Sequence, residues 1–200
     1  MALYPTNDML SRLGPLVVRD FLAPGDRTSL RERLAEVEER PPAFGTSDGN
    51  LVVDPDHRRA RLFAMPAEAD ELVIASLEDM RPTVERHFDD RFDGCRPPQW
   101  IGYGEGDFHK PHVDWYDDES WSRRVTAVVF LNGEGAGDDD FEGGTLVLYG
   151  LMGEDPPRHG FPVRAEPGMV VFFRASTTHE VLPVTRGRRW AIASWYVPSV

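Results

Sequence analysis

From residue 96 onward the chain carries a succession of short apolar, β-branched runs, at 99–103, 125–131, 145–149, 169–173, 180–184 and 189–197. Clusters of Gly, Pro and Asp separate them. Runs of this length, bounded by such residues, predict strands, and several in close succession predict a sandwich or barrel. The first ninety residues read differently. Residues 15–21 suggest a strand. Pro24 opens a helical pattern with Leu30, Leu34 and Val37 at i, i+4 and i+7, and Pro41-Pro42 stops it. Residues 43–60 are rich in Gly, Asp and Pro and predict a loop around Leu51, Val52 and Val53. Pro66 opens a second helical stretch with Leu77, Met80, Val84 and Phe88 on one face, which Pro82 is expected to kink or split in two.

The expected fold class is therefore α+β, mainly β: a double-stranded β-helix (jelly roll) with N-terminal helices packed against one sheet. A single domain over 1–200 is expected, with 1–95 a helical or mixed support region and 96–200 the β-helix core. A length of 200 residues, 40% hydrophobic, suits one sizeable core. The net charge of −12 argues against nucleic acid and anionic membrane surfaces as partners. Cys95 is the one cysteine, which excludes an internal disulfide and fits a reducing compartment. Neither a leader-like start nor a membrane-spanning apolar stretch is visible, so a cytoplasmic location is expected.

Chemistry concentrates in His112-Val113-Asp114 and in His179. Residues i and i+2 of a strand point the same way, so His112 and Asp114 can serve one metal ion while Val113 packs behind. His179 begins an apolar run elsewhere in the fold and can supply a third ligand. Two imidazoles and a carboxylate on one face suit Fe(II) with open positions, and Zn(II) accepts the same donors. A hydrogen-bonded His–Asp pair at a strand end is the plainer alternative for the motif alone. His57, His87 and His159 sit among charges or prolines and read as surface residues, and His109 is a weak competitor.

Arg186, Arg188 and Arg189 follow His179, and a fixed cation there can anchor a dicarboxylic acid. In the strand over 189–197, Arg189 shares a face with Ala191, Ala193 and Trp195. Arg188 shares the other with Trp190, Ile192 and Ser194. Small neighbours leave room for a ligand, which favours Arg189. All three remain readable as solvent charges around Gly187.

Taken together, four stretches resemble the Fe(II)/2-oxoglutarate-dependent dioxygenases of the prolyl-4-hydroxylase-like branch. They are Tyr103-Gly-Glu-Gly-Asp-Phe-His-Lys-Pro-His112-Val-Asp114, Arg124-Val-Thr-Ala-Val-Val-Phe-Leu-Asn132, Phe141-Glu-Gly-Gly-Thr-Leu146 and His179-Glu-Val-Leu-Pro-Val-Thr-Arg-Gly-Arg-Arg-Trp190. The resemblance implies a double-stranded β-helix with Fe(II) at its open end. It implies His112, Asp114 and His179 as ligands and catalytic centre, and Arg189 as partner of the distal 2-oxoglutarate carboxylate. Tyr103, Leu146, Val181 and Trp195 match positions near that cosubstrate, with plain core packing as the alternative. Many members carry the basic residue nine positions after the distal His, which here is Arg188. Gly187 reads as a one-residue turn insertion that moves the role to Arg189. Some members use a Tyr where Phe130 stands, and Tyr103 or Thr145 is the candidate replacement hydroxyl.

The implied activity is O2-dependent hydroxylation of an unactivated C–H bond, with 2-oxoglutarate converted to succinate and CO2. The carboxylate of Asp114 favours hydroxylation over halogenation, because related halogenases place a small residue there. The implied substrate is a peptidyl residue of prolyl type or a small amino-acid-like molecule. Trp115 and Tyr116 are candidates for its rim, alongside the loop at 43–60. The rival readings are a non-catalytic, metal-containing jelly-roll binding protein and a zinc-dependent hydrolase on a similar barrel.

Overall fold

The computed structural model describes residues 7–42, 44–45, 51–115, 122–135, 137, 139–153, 156 and 158–199. Two antiparallel sheets face each other. The larger runs in the order Leu16–Val18, Val170–Arg174, Val125–Phe130, Arg189–Pro198, Gln99–Tyr103, Arg61–Phe63, Glu39–Arg40, and Phe92–Cys95 also pairs with the last half of Arg189–Pro198. The smaller runs Gly160–Val163, Leu146–Tyr149, His179–Val181, Phe108–His112, Arg58–Arg59. Together they form the double-stranded β-helix, with helices on the outer face of the larger sheet.

Strand parity explains this layering. Val128, Phe130, Val171, Phe173, Ala191 and Ala193 pack inward with Leu146, Leu148 and Val181 of the smaller sheet. Their neighbours Ala127, Val129, Val170, Phe172 and Ile192 pack outward with helix residues Leu30, Leu34, Val73, Leu77 and Val84. Both faces are covered, so these strands read as continuous apolar runs rather than alternating ones. The helix Pro24–Leu34 starts with Pro at its first turn and ends at Ala35, before the expected stop at Pro41. Val37 still packs on the same cluster from outside the helix.

The helix Ala67–Phe88 runs unbroken through Pro82 and ends on Asp89 in the left-handed conformation. Of the two expectations, a kink or a split, the split does not occur. Pro82 sits on the exposed face of the helix, where water can compensate a lost backbone hydrogen bond. The run at 180–184 divides into His179–Val181 and Val184–Arg186. Pro183 has no N–H to continue the ladder, and the chain there leaves Leu146–Tyr149 to pair with Glu142–Gly143. The segment at 43–60 holds the pair Phe44–Gly45 and Leu51–Val52 and the edge strand Arg58–Arg59, rather than a plain loop. Its residues 43 and 46–50 lie outside the described residues. Residues before 96 thus contribute strands to both sheets besides supporting helices. Among the described residues no helix is long and apolar enough to cross a membrane.

Candidate active site

Register brings the three candidate ligands together. His179 pairs directly with His112 across the smaller sheet, and their ring centroids are 4.1 Å apart. The Phe108–His112 strand ends at His112, and the next two residues cross toward the larger sheet. The backbone N–H groups of Asp114 and Trp115 both donate to the Ala175 carbonyl, at 2.9 and 3.0 Å. Asp114 therefore lies beyond the strand. Val113 does not pack behind the pair as expected: it is 43% exposed, because the chain turns out of the sheet there. Ligand atoms of His112, Asp114 and His179 all lie within 4.8 Å of one another.

Each donor is oriented by a second contact. His112 Nδ1 bonds the Lys110 carbonyl at 2.8 Å, and His179 Nδ1 bonds the Thr177 carbonyl at 2.9 Å. A carbonyl only accepts, so each Nδ1 carries the proton and each Nε2 keeps its lone pair for the site. Those Nε2 atoms lie 3.8 and 3.5 Å from the Asp114 carboxylate oxygens. Asp114 Oδ2 accepts from Thr126 Oγ1 at 2.8 Å and from Trp195 Nε1 at 3.0 Å, which leaves Oδ1 for a metal. Burial pushes His112 down to about 3, reinforced by the facing His179, so it is a neutral donor. Burial opposes ionisation of Asp114, yet His179, His112 and the two hydrogen bonds hold it below the usual carboxylate range. Two lone pairs and one anionic oxygen converging on a small buried space fit a divalent ion.

The cleft above this set is lined by Tyr103, Leu146, Val181, Arg189 and Trp195, the five residues expected beside a cosubstrate. Arg189 is 2% exposed, and its Nε has no hydrogen-bond partner. Among the described residues no carboxylate reaches ion-pair distance of it. Its guanidinium lies 5.1 Å from the Tyr103 and Phe130 ring centres. A buried cation without a counter-ion is costly, so the site is set for an anion. Ala191 and Ala193 line the same cleft. Arg188 is exposed, 4.0 Å from Glu39 and over the Trp190 ring, and Arg186 bonds Glu142 at 3.0 Å. Thr145 is not available as a replacement hydroxyl, since it donates to Glu134 at 2.7 Å.

Trp115 is 44% exposed, and Tyr116 lies outside the described residues. His87 and His159 are exposed, as expected, but His57 is not a plain surface residue. It is half-buried, its ring edge-on to His109 at 5.5 Å, because Arg58–Arg59 docks on Phe108–His112. His109 stacks on His112 at 3.5 Å and lines the cleft, so it supports the ligand rather than competing with it. The sequence reading missed Thr126, Arg58 and Arg123, whose guanidinium lies 3.8 Å over Trp195 and 4.0 Å from Asp114. Thr126 had a usable signal: a lone hydroxyl in a fully apolar strand, in phase with inward-facing Val128.

The 2OG-Fe(II) oxygenase superfamily model matches residues 98–197. The chain belongs to the 2OG-Fe(II) oxygenase superfamily. A PKHD-type hydroxylase of Paracoccus denitrificans is 31% identical over 105 residues, 50% of this chain and 42% of that protein. The match thus spans less than half of that relative's length. A PKHD-type hydroxylase of Alteromonas mediterranea is 25% identical over 197 residues, 90% of this chain and 76% of that one. Among solved structures, a Pseudomonas putida prolyl-4-hydroxylase superposes with a TM-score of 0.68 at 25% identity, covering 96% of this chain and 97% of that one. The superfamily uses Fe(II), 2-oxoglutarate and O2, and the donor set and the buried Arg189 of this oxygenase fit the first two.

Proposed function

We propose that this oxygenase hydroxylates an unactivated C–H bond of a peptidyl residue of prolyl type or of a small amino-acid-like molecule. The observation that carries the reading is one cleft lined both by a His–Asp–His set and by a buried arginine without a counter-ion. His112, Asp114 and His179 would hold Fe(II), and Arg189 would hold the distal carboxylate of 2-oxoglutarate. The names of the relatives, hydroxylases all, support the reaction class. Membership of the superfamily tells against the binding-protein and zinc-hydrolase readings.

Bound iron would supply the electron transfer that lets O2 react with 2-oxoglutarate. The balance is simple: 2-oxoglutarate and the C–H substrate each give two electrons. O2 takes four, one oxygen atom going to succinate and one to the alcohol, with CO2 released. The protein's own part is placement. Thr126 and Trp195 fix Asp114, the carbonyls of Lys110 and Thr177 fix the imidazoles, and Leu146, Val181 and Ala191 keep water from the cosubstrate. The test needs no substrate. Fe(II) and 2-oxoglutarate added without oxygen should give the visible metal-to-ligand charge-transfer band of the chelate, absent in His179→Ala. A folded protein that binds iron yet shows no band would overturn the reading.

A further inference from the structure

Among the described residues, Arg58 and Arg189 line the cleft with a buried Nε that has no hydrogen-bond partner. Arg189 is accounted for by 2-oxoglutarate. Arg58 is not. It lies on the edge strand Arg58–Arg59 of the smaller sheet, directly opposite His109. Its backbone is fixed on both sides, since its own N–H bonds the Asp54 carbonyl at 2.9 Å and the His57 carbonyl takes the Lys110 N–H at 3.0 Å. Among the described residues no carboxylate pairs with its guanidinium. Among the described residues that line the cleft the one carboxylate, Asp114, is committed to Thr126, Trp195 and the candidate metal.

Charge bookkeeping sharpens the point. With a divalent metal, the Asp114 anion, a 2-oxoglutarate dianion and the Arg189 cation, the cleft is neutral. Arg58 is then left over, half-buried and with no counter-charge, beside imidazoles rather than acids. Its buried Nε, left without a hydrogen-bond partner, costs stability unless a ligand completes it. The chain as a whole carries −12, so a positive cleft is a local exception and a filter for anions.

We infer that Arg58 binds a carboxylate of the primary substrate, and that the substrate is a small free carboxylic acid rather than an internal residue of a peptide. This rests on the oxygenase reading above and chooses between its two substrate classes. The neutral backbone of a peptide interior offers Arg58 no charge partner. A free amino acid or other short acid does, in the fork geometry that guanidinium and carboxylate share.

The experiment is an anaerobic titration of the protein loaded with Fe(II) and 2-oxoglutarate, following the chelate band. The probes are the proteinogenic L-amino acids and short straight-chain carboxylic acids, each set against its own primary amide. At least one acid should shift the band while its amide does not. Arg58→Ala should weaken that acid's apparent binding by about 10- to 100-fold, with Arg58→Lys recovering part of it. 2-Oxoglutarate affinity measured without acid should stay near the starting value in both. Amides that act as well as acids, no acid acting at all, or a variant that loses 2-oxoglutarate instead would each overturn the inference. The comparison of acid with amide needs no variant, so a misfolded Arg58→Ala leaves it decidable. Absence of the chelate band itself would show that the oxygenase reading, not the choice of substrate, had failed.

Discussion

Trp195 donates its indole N–H to Asp114 Oδ2 at 3.0 Å, joining the larger sheet to the candidate metal-binding carboxylate across 81 positions of sequence. Thr126 holds the same oxygen from the adjacent strand at 2.8 Å. The two bonds fix the orientation of the carboxylate between the two imidazoles. Trp195→Phe keeps the ring and removes the donor. It should lower Fe(II) affinity by about 10- to 100-fold, as loss of a ligand's outer partner does. Thr126→Val should do the same by its own route, and the double variant should exceed either. Competition with a chromophoric chelator measures this, and unchanged affinity in both single variants would remove the orienting role.

Arg189 and Arg188 are neighbours in sequence with opposite surroundings: one is 2% exposed in the cleft, the other exposed beside Glu39. Arg189→Ala should weaken 2-oxoglutarate binding by about 2–5 kcal/mol, the scale for removing one partner of a buried ion pair. Arg188→Ala should change it by less than about 0.5 kcal/mol. Titration of the chelate band separates them, and the reverse ranking would return the role to Arg188.

This contrast was legible in the sequence because a strand has a period of two, and Ala191 and Ala193 mark the side with space. The His–Asp–His set was legible because two donors of the right chemistry stood two positions apart in His112-Val113-Asp114 and a third, His179, opened an apolar run. Arg58 was not. Its strand is two residues long, too short to carry any period, and its neighbours Arg59 and Arg61 hide one charge among several. Val113 misled because the i, i+2 rule holds only within a strand, and this one ends at His112.

Acid should destabilise the metal-free protein through its buried histidines. His112 is held down to about 3 by burial first and by His179 second, against about 6.5 in an unfolded chain. Between those values the unfolded chain holds the proton and the native chain does not. Stability therefore rises with pH across this window, is complete above about pH 6.5, and is lost as pH falls toward 3. His109 is shifted the same way, chiefly by burial. Each fully displaced proton contributes up to about 1.4 kcal/mol per pH unit. Urea unfolding between about pH 4.5 and 7.5 should show the slope, and His109→Phe, which keeps a ring stacked on His112, should flatten it. An equal slope in that variant would show that His109 is already protonated in the native state.

Gly187 sets the turn that delivers Arg189. Its φ is +74°, and a Cβ there would come within 2.9 Å of the Asp140 carbonyl oxygen. The turn is clamped just beyond it by Asn132, whose amide donates to the Arg188 carbonyl and accepts from Trp190 N–H, both at 2.8 Å. Gly187→Ala should cost about 1–2 kcal/mol for the left-handed conformation, with an added cost for the contact. Because the clamp resists relaxation on the far side, part of the strain should reach Arg189 and weaken 2-oxoglutarate. Gly25→Ala is the fitting control: that glycine is in a helix, without a positive φ, and nothing lies within 4 Å of its would-be Cβ. It should be neutral or stabilising by a few tenths of a kcal/mol. Thermal unfolding and chelate titration on the two variants decide the matter. If Gly187→Ala loses stability but keeps full 2-oxoglutarate affinity, the turn supports the fold without positioning Arg189.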